Sequence, residues 1–154
     1  MILSLDNKKP RIGVHPARIV SMQPKNDKQG QPGLECTFRT LDDNVVMNYV
    51  FWLKKELDYQ LKSFNKIVLG LNATTIRVNN LIGNNLFIVV QQILYYRGGE
   101  QIKKITGEDV VQYRVSPKFY PYDKELMPRV NEKYFTVIKY LDGEGKLTYE
   151  QNNE

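Results

Sequence analysis

The sequence of 154 residues has a single cysteine, Cys36. One thiol excludes an intramolecular disulfide, and no second cysteine stands at the spacing of a zinc knuckle. A lone cysteine is typical of a reducing compartment. We therefore expect a cytoplasmic protein.

Long apolar runs are also absent. No stretch approaches the roughly 18 apolar residues of a membrane span, and the first residues, MILSLDNKKPRIG, reach a charge within six positions. The pattern predicts neither a signal peptide nor an association with membrane.

Residues that support catalysis are scarce. The only histidine, His15, lies in a predicted strand, where a structural role is commoner than that of a general base. A Gly-rich phosphate loop, HExxH and Gly-x-Ser-x-Gly do not occur. The acidic pairs Asp42-Asp43 and Glu108-Asp109 fall in turns, where neighbouring side chains diverge, so we expect no metal cluster. The predictions are no enzyme activity, no cofactor and no metal.

The balance of charge is basic. Twenty-two Lys and Arg against seventeen Asp and Glu give a net charge of +5 and a pI of about 9.2. That pI indicates nucleic acid as a partner. With 42% hydrophobic residues, the chain has enough apolar material for one core and one domain.

Three strands are predicted before the first helix, because apolar and polar residues alternate between turn residues. They cover residues 11–23, 34–40 and 44–53. The segment PKNDKQGQPG, between the first two strands, is rich in turn residues and predicts a loop. Lys25 and Lys28 make that loop basic.

The register of strands two and three follows from a turn at Asp42-Asp43, which pairs Arg39 with Val46 and Phe38 with Met47. Directly paired side chains share a face. The predicted core face consists of Leu34, Cys36, Phe38, Val45, Met47, Tyr49 and Phe51. The opposite face consists of Thr37, Arg39, Val46, Asn48, Val50 and Trp52. Such a mixed face is either covered by another layer or binds a ligand.

Residues 54–71 change to a helical period, with apolar residues at steps of three and four. This spacing predicts an amphipathic helix that ends near Gly70. NLFIVVQQILYY, residues 85–96, predicts a fourth strand. A Gly98-Gly99 turn then returns the chain into a fifth strand, EQIKKIT, residues 100–106.

The order of these elements predicts the fold. Five strands with a helix between the third and fourth is the order of the oligonucleotide-binding (OB) barrel, so we expect a mainly β, five-stranded OB-like barrel. A generic α+β sheet crossed by a helix has the same elements and stays open as an alternative. In OB barrels the ligand lies over strands two and three, between the loops that join strands one to two and four to five.

Several local features of residues 11–106 resemble a known family. GVHPARIVSMQPKNDKQGQPGLECTFRTLDD has Gly and Ala-Arg-Ile on strand one, a loop rich in Lys and Gly, an apolar second strand and an Asp-containing turn. LIGNNLFIVVQQ has a Gly-x-x-hydrophobic entry to strand four. In these features the chain resembles the small phage-encoded single-stranded-DNA-binding proteins. The resemblance implies an OB-fold and single-stranded DNA as the partner.

The residue chemistry agrees with that implication, because single-strand binders need cations for phosphates and aromatic faces for bases. The residues expected to stack on bases are Trp52, Tyr95 and Tyr96. Those expected to meet phosphates are Arg18, Lys25, Lys28, Arg39, Arg97, Lys103 and Lys104. Tyr95 and Tyr96 are adjacent in a strand and must point to opposite faces.

Residues 107–154 form a predicted C-terminal extension of the OB-like domain at residues 1–106. SPKFYPY is too rich in proline for a central strand and predicts an ordered arm. The alternation in KYFTVIKYL and KLTYE around Asp142-Gly143 predicts a hairpin. We expect this extension to pack on the same domain or on a second subunit, which would make a homo-oligomer.

The predicted function is a sequence-tolerant single-stranded-DNA-binding protein that acts in phage DNA replication or recombination, in the bacterial cytoplasm if a phage encodes it. RNA stays open as a target because it differs only at the 2′-OH. The alternative is a non-enzymatic protein-protein interaction module that uses the Tyr-rich C-terminal arm.

Overall fold

The protein is mainly β, as predicted, in a computed structural model that describes residues 9–54, 58–102, 104–105, 108–109 and 112–152. The described strands form one mixed sheet of nine strands and a separate two-stranded ribbon. The longest path through the sheet has the order β11-β10-β4-β1-β2-β3. Predicted contact Lys103 lies outside the described residues.

The first three strands form a meander: β1 (Gly13–Asn26), β2 (Pro32–Thr40) and β3 (Val46–Trp52). Both hairpins are antiparallel, and the pairs Arg39↔Val46 and Phe38↔Met47 confirm the predicted register. The basic loop is shorter than predicted, because β1 continues to Asn26 and β2 begins at Pro32.

The predicted core face of β2 and β3 is also confirmed. Its buried residues are Cys36, Phe38, Val45 and Phe51. Its half-buried residues, packed against the same core, are Leu34, Met47 and Tyr49. Burial raises the pKa of the Cys36 thiol to about 12, and burial is also the largest cause of the raised pKa of Tyr49.

Four phenylalanines join the meander to the rest of the chain. Phe38 and Phe51 of the sheet meet Phe64 and Phe119, with ring-centroid separations of 4.9–6.2 Å. Phe64 belongs to α1 (Asp58–Leu69), the predicted helix, which ends before Gly70. Edge-to-face and tilted aromatic contacts of this kind add to the free energy of apolar burial. A short α2 (Val78–Leu81), which the sequence pattern did not predict, buries Leu81.

β4 (Asn85–Arg97) is the central strand. One edge pairs antiparallel with β1 over Asn85 to Val90, and then parallel with β10 (Thr136–Leu141) over Gln92 to Arg97. The other edge carries three short strands, β9 (Tyr120–Pro121), β8 (Gln112–Val115) and β5 (Glu100–Gln101). Residues Leu86 to Gln91 are buried without interruption, as expected for a strand covered on both faces.

The predicted count of five strands is wrong, because nine strands in the described part of the chain form the sheet. Among the described residues of the predicted fifth strand, residues 100–106, the two-residue β5 belongs to this sheet. β6 (Lys104–Ile105) pairs instead with β7 (Glu108–Asp109) in the separate ribbon. The Gly98-Gly99 turn itself is as predicted: Arg97 pairs with Glu100, and both glycines have positive φ, of 60° and 81°.

The C-terminal hairpin is confirmed as β10 and β11 (Leu147–Asn152). It follows a 3₁₀ helix at Glu132–Phe135. The buried Gln91 amide of β4 donates to the carbonyl oxygen of Tyr134 at 2.6 Å and accepts from Arg114 Nε at 2.9 Å, while Arg114 pairs with Glu150 at 2.9 Å. β8 to β11 therefore belong to the same sheet as the N-terminal meander.

Candidate nucleic-acid interface

The face of β1, β2 and β3 that points away from the core, here called the outer face, carries two arginines opposite each other. Arg18 of β1 is paired with Arg39 of β2, and both side chains are exposed. On its other side Arg18 is paired with Asn85 of β4. We call the Arg18–Arg39 pair the arginine rung.

The arginine rung has no carboxylate partner among the described residues. Arg18 Nε donates to Asn85 Oδ1 at 3.4 Å, and Arg39 Nη1 donates to Asn44 Oδ1 at 3.0 Å. Amide oxygens orient a guanidinium but do not neutralise it. Like charges at directly opposed positions of a sheet are destabilising. The arrangement therefore favours an anion that contacts both side chains.

A second row of paired residues crosses the outer face at the other end of the strands. Gly33 of β2 is paired with Lys25 of β1 and with Trp52 of β3. A Cβ added to Gly33 would lie 2.7 Å from Trp52 Cε3 and 2.9 Å from Cζ3, so the six-membered ring of the indole covers this glycine. Trp52 is half-buried and lies on the outer face, as predicted. Gly33 is six residues from Arg39, a distance of about 20 Å along a strand.

The predicted lysines of this end are available to different degrees. Lys25 Nζ forms an ion pair with Glu35 Oε2 at 2.9 Å, so its charge is partly neutralised. Lys28 is exposed in the turn between β1 and β2. That turn is closed by Asp27, whose Oδ1 accepts from the backbone N–H of Gln29 and of Gln31.

The predicted contacts at the C-terminal end of β4 lie far from the arginine rung. Tyr96 is eleven residues beyond Asn85, a distance of about 36 Å along an extended strand. Its ring packs on Tyr140 at a centroid separation of 5.8 Å. Tyr95 points to the opposite face, where its hydroxyl donates to Gln112 at 2.6 Å.

Three further predicted contacts follow Tyr96 in the sequence. Arg97 is exposed beside the β10–β11 turn, where a Cβ on Gly145 would lie 2.9 Å from its Nη2. Lys104 starts β6, and Lys103 is outside the described residues. Tyr95 and Tyr96 already contact Gln112 and Tyr140, so they are less free to stack on a base than Trp52 is.

A polar cluster that the sequence pattern did not predict joins His15 to the β2–β3 turn. His15 Nδ1 lies 2.8 Å from Asp42 Oδ2 and 3.6 Å from Asp43 Oδ2, so the neighbouring carboxylates do not diverge as expected. His15 Nε2 lies 2.7 Å from the carbonyl oxygen of Arg11. Both of these close partners are oxygen atoms that accept hydrogen bonds, so each ring nitrogen of His15 has a polar contact.

The ligand atoms of His15, Asp42 and Asp43 lie within 4.8 Å of one another, which is compatible with a metal ion. Arg11, however, donates two hydrogen bonds of 2.7 Å to Asp43, and hydrogen bonding to Asp43 is the largest cause of the raised pKa of Arg11. A guanidinium in this position neutralises the carboxylates that a cation would need. The cluster is best explained as a structural network that joins the start of β1 to the turn.

Sequence reasoning missed the residues that support the outer face. Asn85 and Asn44 orient the two arginines, and Gly33 makes room for Trp52. Only Gly33 had a usable signal, since a glycine inside a strand often marks a close approach of another group. The roles of the two asparagines depend on cross-strand neighbours that alternation alone does not identify.

Broad comparisons of the chain gave negative results. No protein-family model matches the chain, and no curated protein matches it. Among the described residues, no helix has both the length and the apolar character that a membrane crossing requires.

Proposed function

We propose that this protein binds single-stranded DNA, without strong sequence preference, on the outer face of β1, β2 and β3. The observation that carries the proposal is the arginine rung, two exposed guanidiniums opposite each other with no carboxylate partner among the described residues. The phosphodiester backbone is a polyanion that neutralises such a pair.

An OB-like barrel is part of the proposal. Its support is the meander β1–β2–β3, the antiparallel pairing of β4 with β1, and the pairing of β8 with the other edge of β4. β8 also lies beside β3, although no hydrogen-bonded pairing joins them among the described residues. β8 would then take the place of the fifth OB strand, and the ligand would lie over β2 and β3.

The proposed mechanism is electrostatic capture followed by stacking. Phosphates contact Arg18 and Arg39, and a base stacks on Trp52. Lys28, and Lys25 in competition with Glu35, attract the strand at the same end as Trp52. A stacked single strand advances about 3.4 Å per nucleotide, so the roughly 20 Å between the two rows spans about six nucleotides, within the range of one OB-fold. Duplex is disfavoured because paired bases hide their faces.

The biological role that we propose is the covering of exposed strands in phage DNA replication or recombination. Its support is the resemblance of residues 11–106 to the small phage-encoded single-stranded-DNA-binding proteins. RNA is an alternative target, since arginine and indole contacts do not read the 2′-OH.

The first test is fluorescence anisotropy of a labelled single strand of about 30 nucleotides and of the matching duplex, across a salt series. We expect tighter binding of the single strand, with log affinity falling linearly as log salt rises. Quenching of Trp52, the only tryptophan, reports stacking in the same titration. Equal affinity for both forms, or no binding at low salt, would rule out the proposal.

A protein-protein interaction module is the second candidate. Exposed apolar side chains of the C-terminal part favour it: Leu126, Met127, Leu147 and Tyr149 are 71%, 50%, 52% and 60% exposed. Exposed groups of this kind mark interaction surfaces when they are contiguous. Sedimentation of the protein alone tests whether the exposed side chains of β11 make a homo-oligomer, and Leu147→Asp should then release monomers. If wild type and variant both sediment as monomers, self-association is excluded.

A further inference from the structure

A small open pocket with an apolar and a charged side lies beside the arginine rung. It has a volume of about 230 Å³, and its apolar lining comes from Pro16 of β1, Phe87 of β4, and Tyr122 and Met127 of the segment after β9. We call this cavity the tyrosine notch. None of its lining residues is among the predicted nucleic-acid contacts.

An aromatic pair forms one wall of the tyrosine notch. The rings of Phe87 and Tyr122 have centroids 5.5 Å apart and planes inclined by 31°. Phe87 is buried, whereas Tyr122 is 40% exposed. Tyr122 therefore covers Phe87 with part of its surface and keeps another part open to a ligand. Exposed aromatic surface of this kind is what an unpaired base stacks on.

The notch is continuous with the arginine rung on the outer face. Pro16 is paired with Phe87, and two residues further along β1 the same register pairs Arg18 with Asn85. Residues two apart in a strand point to the same face and lie about 7 Å apart. This distance is short enough for neighbouring parts of one nucleotide chain to occupy both places.

The charges at the rim distinguish the notch from the rung. Asp123, Lys124 and Glu125 border the cavity. Asp123 Oδ1 accepts hydrogen bonds from the backbone N–H of Glu125 at 2.9 Å and of Leu126 at 3.2 Å, which holds this turn in place. Two carboxylates against one ammonium disfavour a phosphate, while the apolar lining suits an uncharged ring.

We propose that the tyrosine notch receives one base of the strand whose phosphate contacts the arginine rung. This inference rests on the proposed function and extends it. The bound DNA would then continue from β2 and β3 across β1 to the segment after β9. The base stacks on Tyr122, and the neighbouring phosphate meets Arg18.

The test compares two strands of equal length, an oligothymidylate and one with abasic sites throughout. For Tyr122→Leu, which keeps an apolar cover on Phe87, we expect roughly 5- to 150-fold weaker binding of oligothymidylate, the equivalent of one lost stack. Binding of the abasic strand should not change. Tyr122→Phe should bind like the wild type. The matched control is Tyr59→Leu, since Tyr59 is 64% exposed on α1.

The outcomes separate this inference from the proposed function. If Tyr122→Leu binds both DNA strands as the wild type does while Arg39→Ala binds them weakly, the proposal that the notch receives a base is overturned. The proposed site on the outer face then stands. An equal loss for both strands assigns Tyr122 a structural role and also overturns the notch. If the wild type binds neither strand at low salt, the proposed function fails and the inference falls with it.

Discussion

The indole ring of Trp52 covers Gly33, its direct partner across β2 and β3. Any larger residue at position 33 would place a Cβ within 3 Å of the ring. The position of the one tryptophan on the outer face therefore depends on the absence of a side chain opposite it. This relationship allows the ring to be displaced without being removed.

For Gly33→Ala we expect a shifted Trp52 emission and weaker binding of single-stranded DNA, because the added methyl group moves the ring from its place. Loss of one stack corresponds to about 1–3 kcal/mol of binding free energy. Gly143→Ala is the matched control, since a Cβ there meets no atom within 4 Å. Unchanged emission and affinity in Gly33→Ala would show that Trp52 is not a platform in this position.

Arg39→Ala is expected to weaken the binding of single-stranded DNA without lowering the stability of the free protein. The substitution removes a phosphate contact, so the slope of log affinity against log salt should fall by about 0.7. It also removes the repulsion across the arginine rung, which offsets the loss of the hydrogen bond to Asn44. Salt titrations and thermal unfolding measure the two effects.

Lys62→Ala is the control for this prediction, because Lys62 is an exposed cation on α1. It should leave both the affinity and the salt slope close to those of the wild type. A decrease in affinity as large as that of Arg39→Ala would indicate a general effect of charge and would contradict a local site.

The hairpin of β2 and β3 was predictable from the sequence to the level of residue pairing, whereas the pairing of β1 with β2 was not predicted. Alternation from Leu34 to Phe38, a turn at Asp42-Asp43 and further alternation to Phe51 together indicate a register that buries one face. The partners of β4 were not predictable in this way. Periodicity does not say which strands pair, and a two-residue strand such as β5 owes its existence to its neighbour in the sheet.

The candidate site was also predictable only in part, because periodicity gives the face of a side chain but not its partners from distant strands. Register places Arg39 and Trp52 on one face, but their supporting contacts come from elsewhere in the chain. Tyr95 and Tyr96 were predicted as base platforms because aromatic residues in a strand are ambiguous between packing and binding. Their contacts with Gln112 and Tyr140 come from strands of the C-terminal extension, which no local pattern connects to β4.

The cluster at the start of β1 gives a prediction about stability. His15→Ala should lower the free energy of unfolding by about 1–3 kcal/mol, because His15 is buried and its contacts with Asp42 and with the carbonyl oxygen of Arg11 are lost. Arg11→Ala should change it little, since the Arg11 side chain is 68% exposed and its ion pair with Asp43 is screened by water. Urea unfolding of both variants measures the difference. Equal losses would contradict the assignment of His15 as the buried member of the network.

Cys36 should be inert in the folded protein. The thiol is fully buried, and burial raises its pKa to about 12 from an ordinary value of 9.0. Thiol reagents react with the thiolate, so at pH 8 we expect modification only after the addition of denaturant. Rapid modification of the native protein would contradict the placement of Cys36 in the core.

The same shift in the pKa of Cys36 makes stability depend on pH in the alkaline range. Between pH 9 and pH 12 the unfolded chain loses the thiol proton while the folded chain retains it. The unfolded state then binds fewer protons, so the free energy of unfolding should fall as pH rises, by about 1.4 kcal/mol per pH unit in this window. Cys36→Ala removes this contribution, and its stability should decrease less steeply above pH 9. If the free energy of unfolding falls equally with pH in the variant and in the wild type, the thiol ionises equally in the folded and unfolded states.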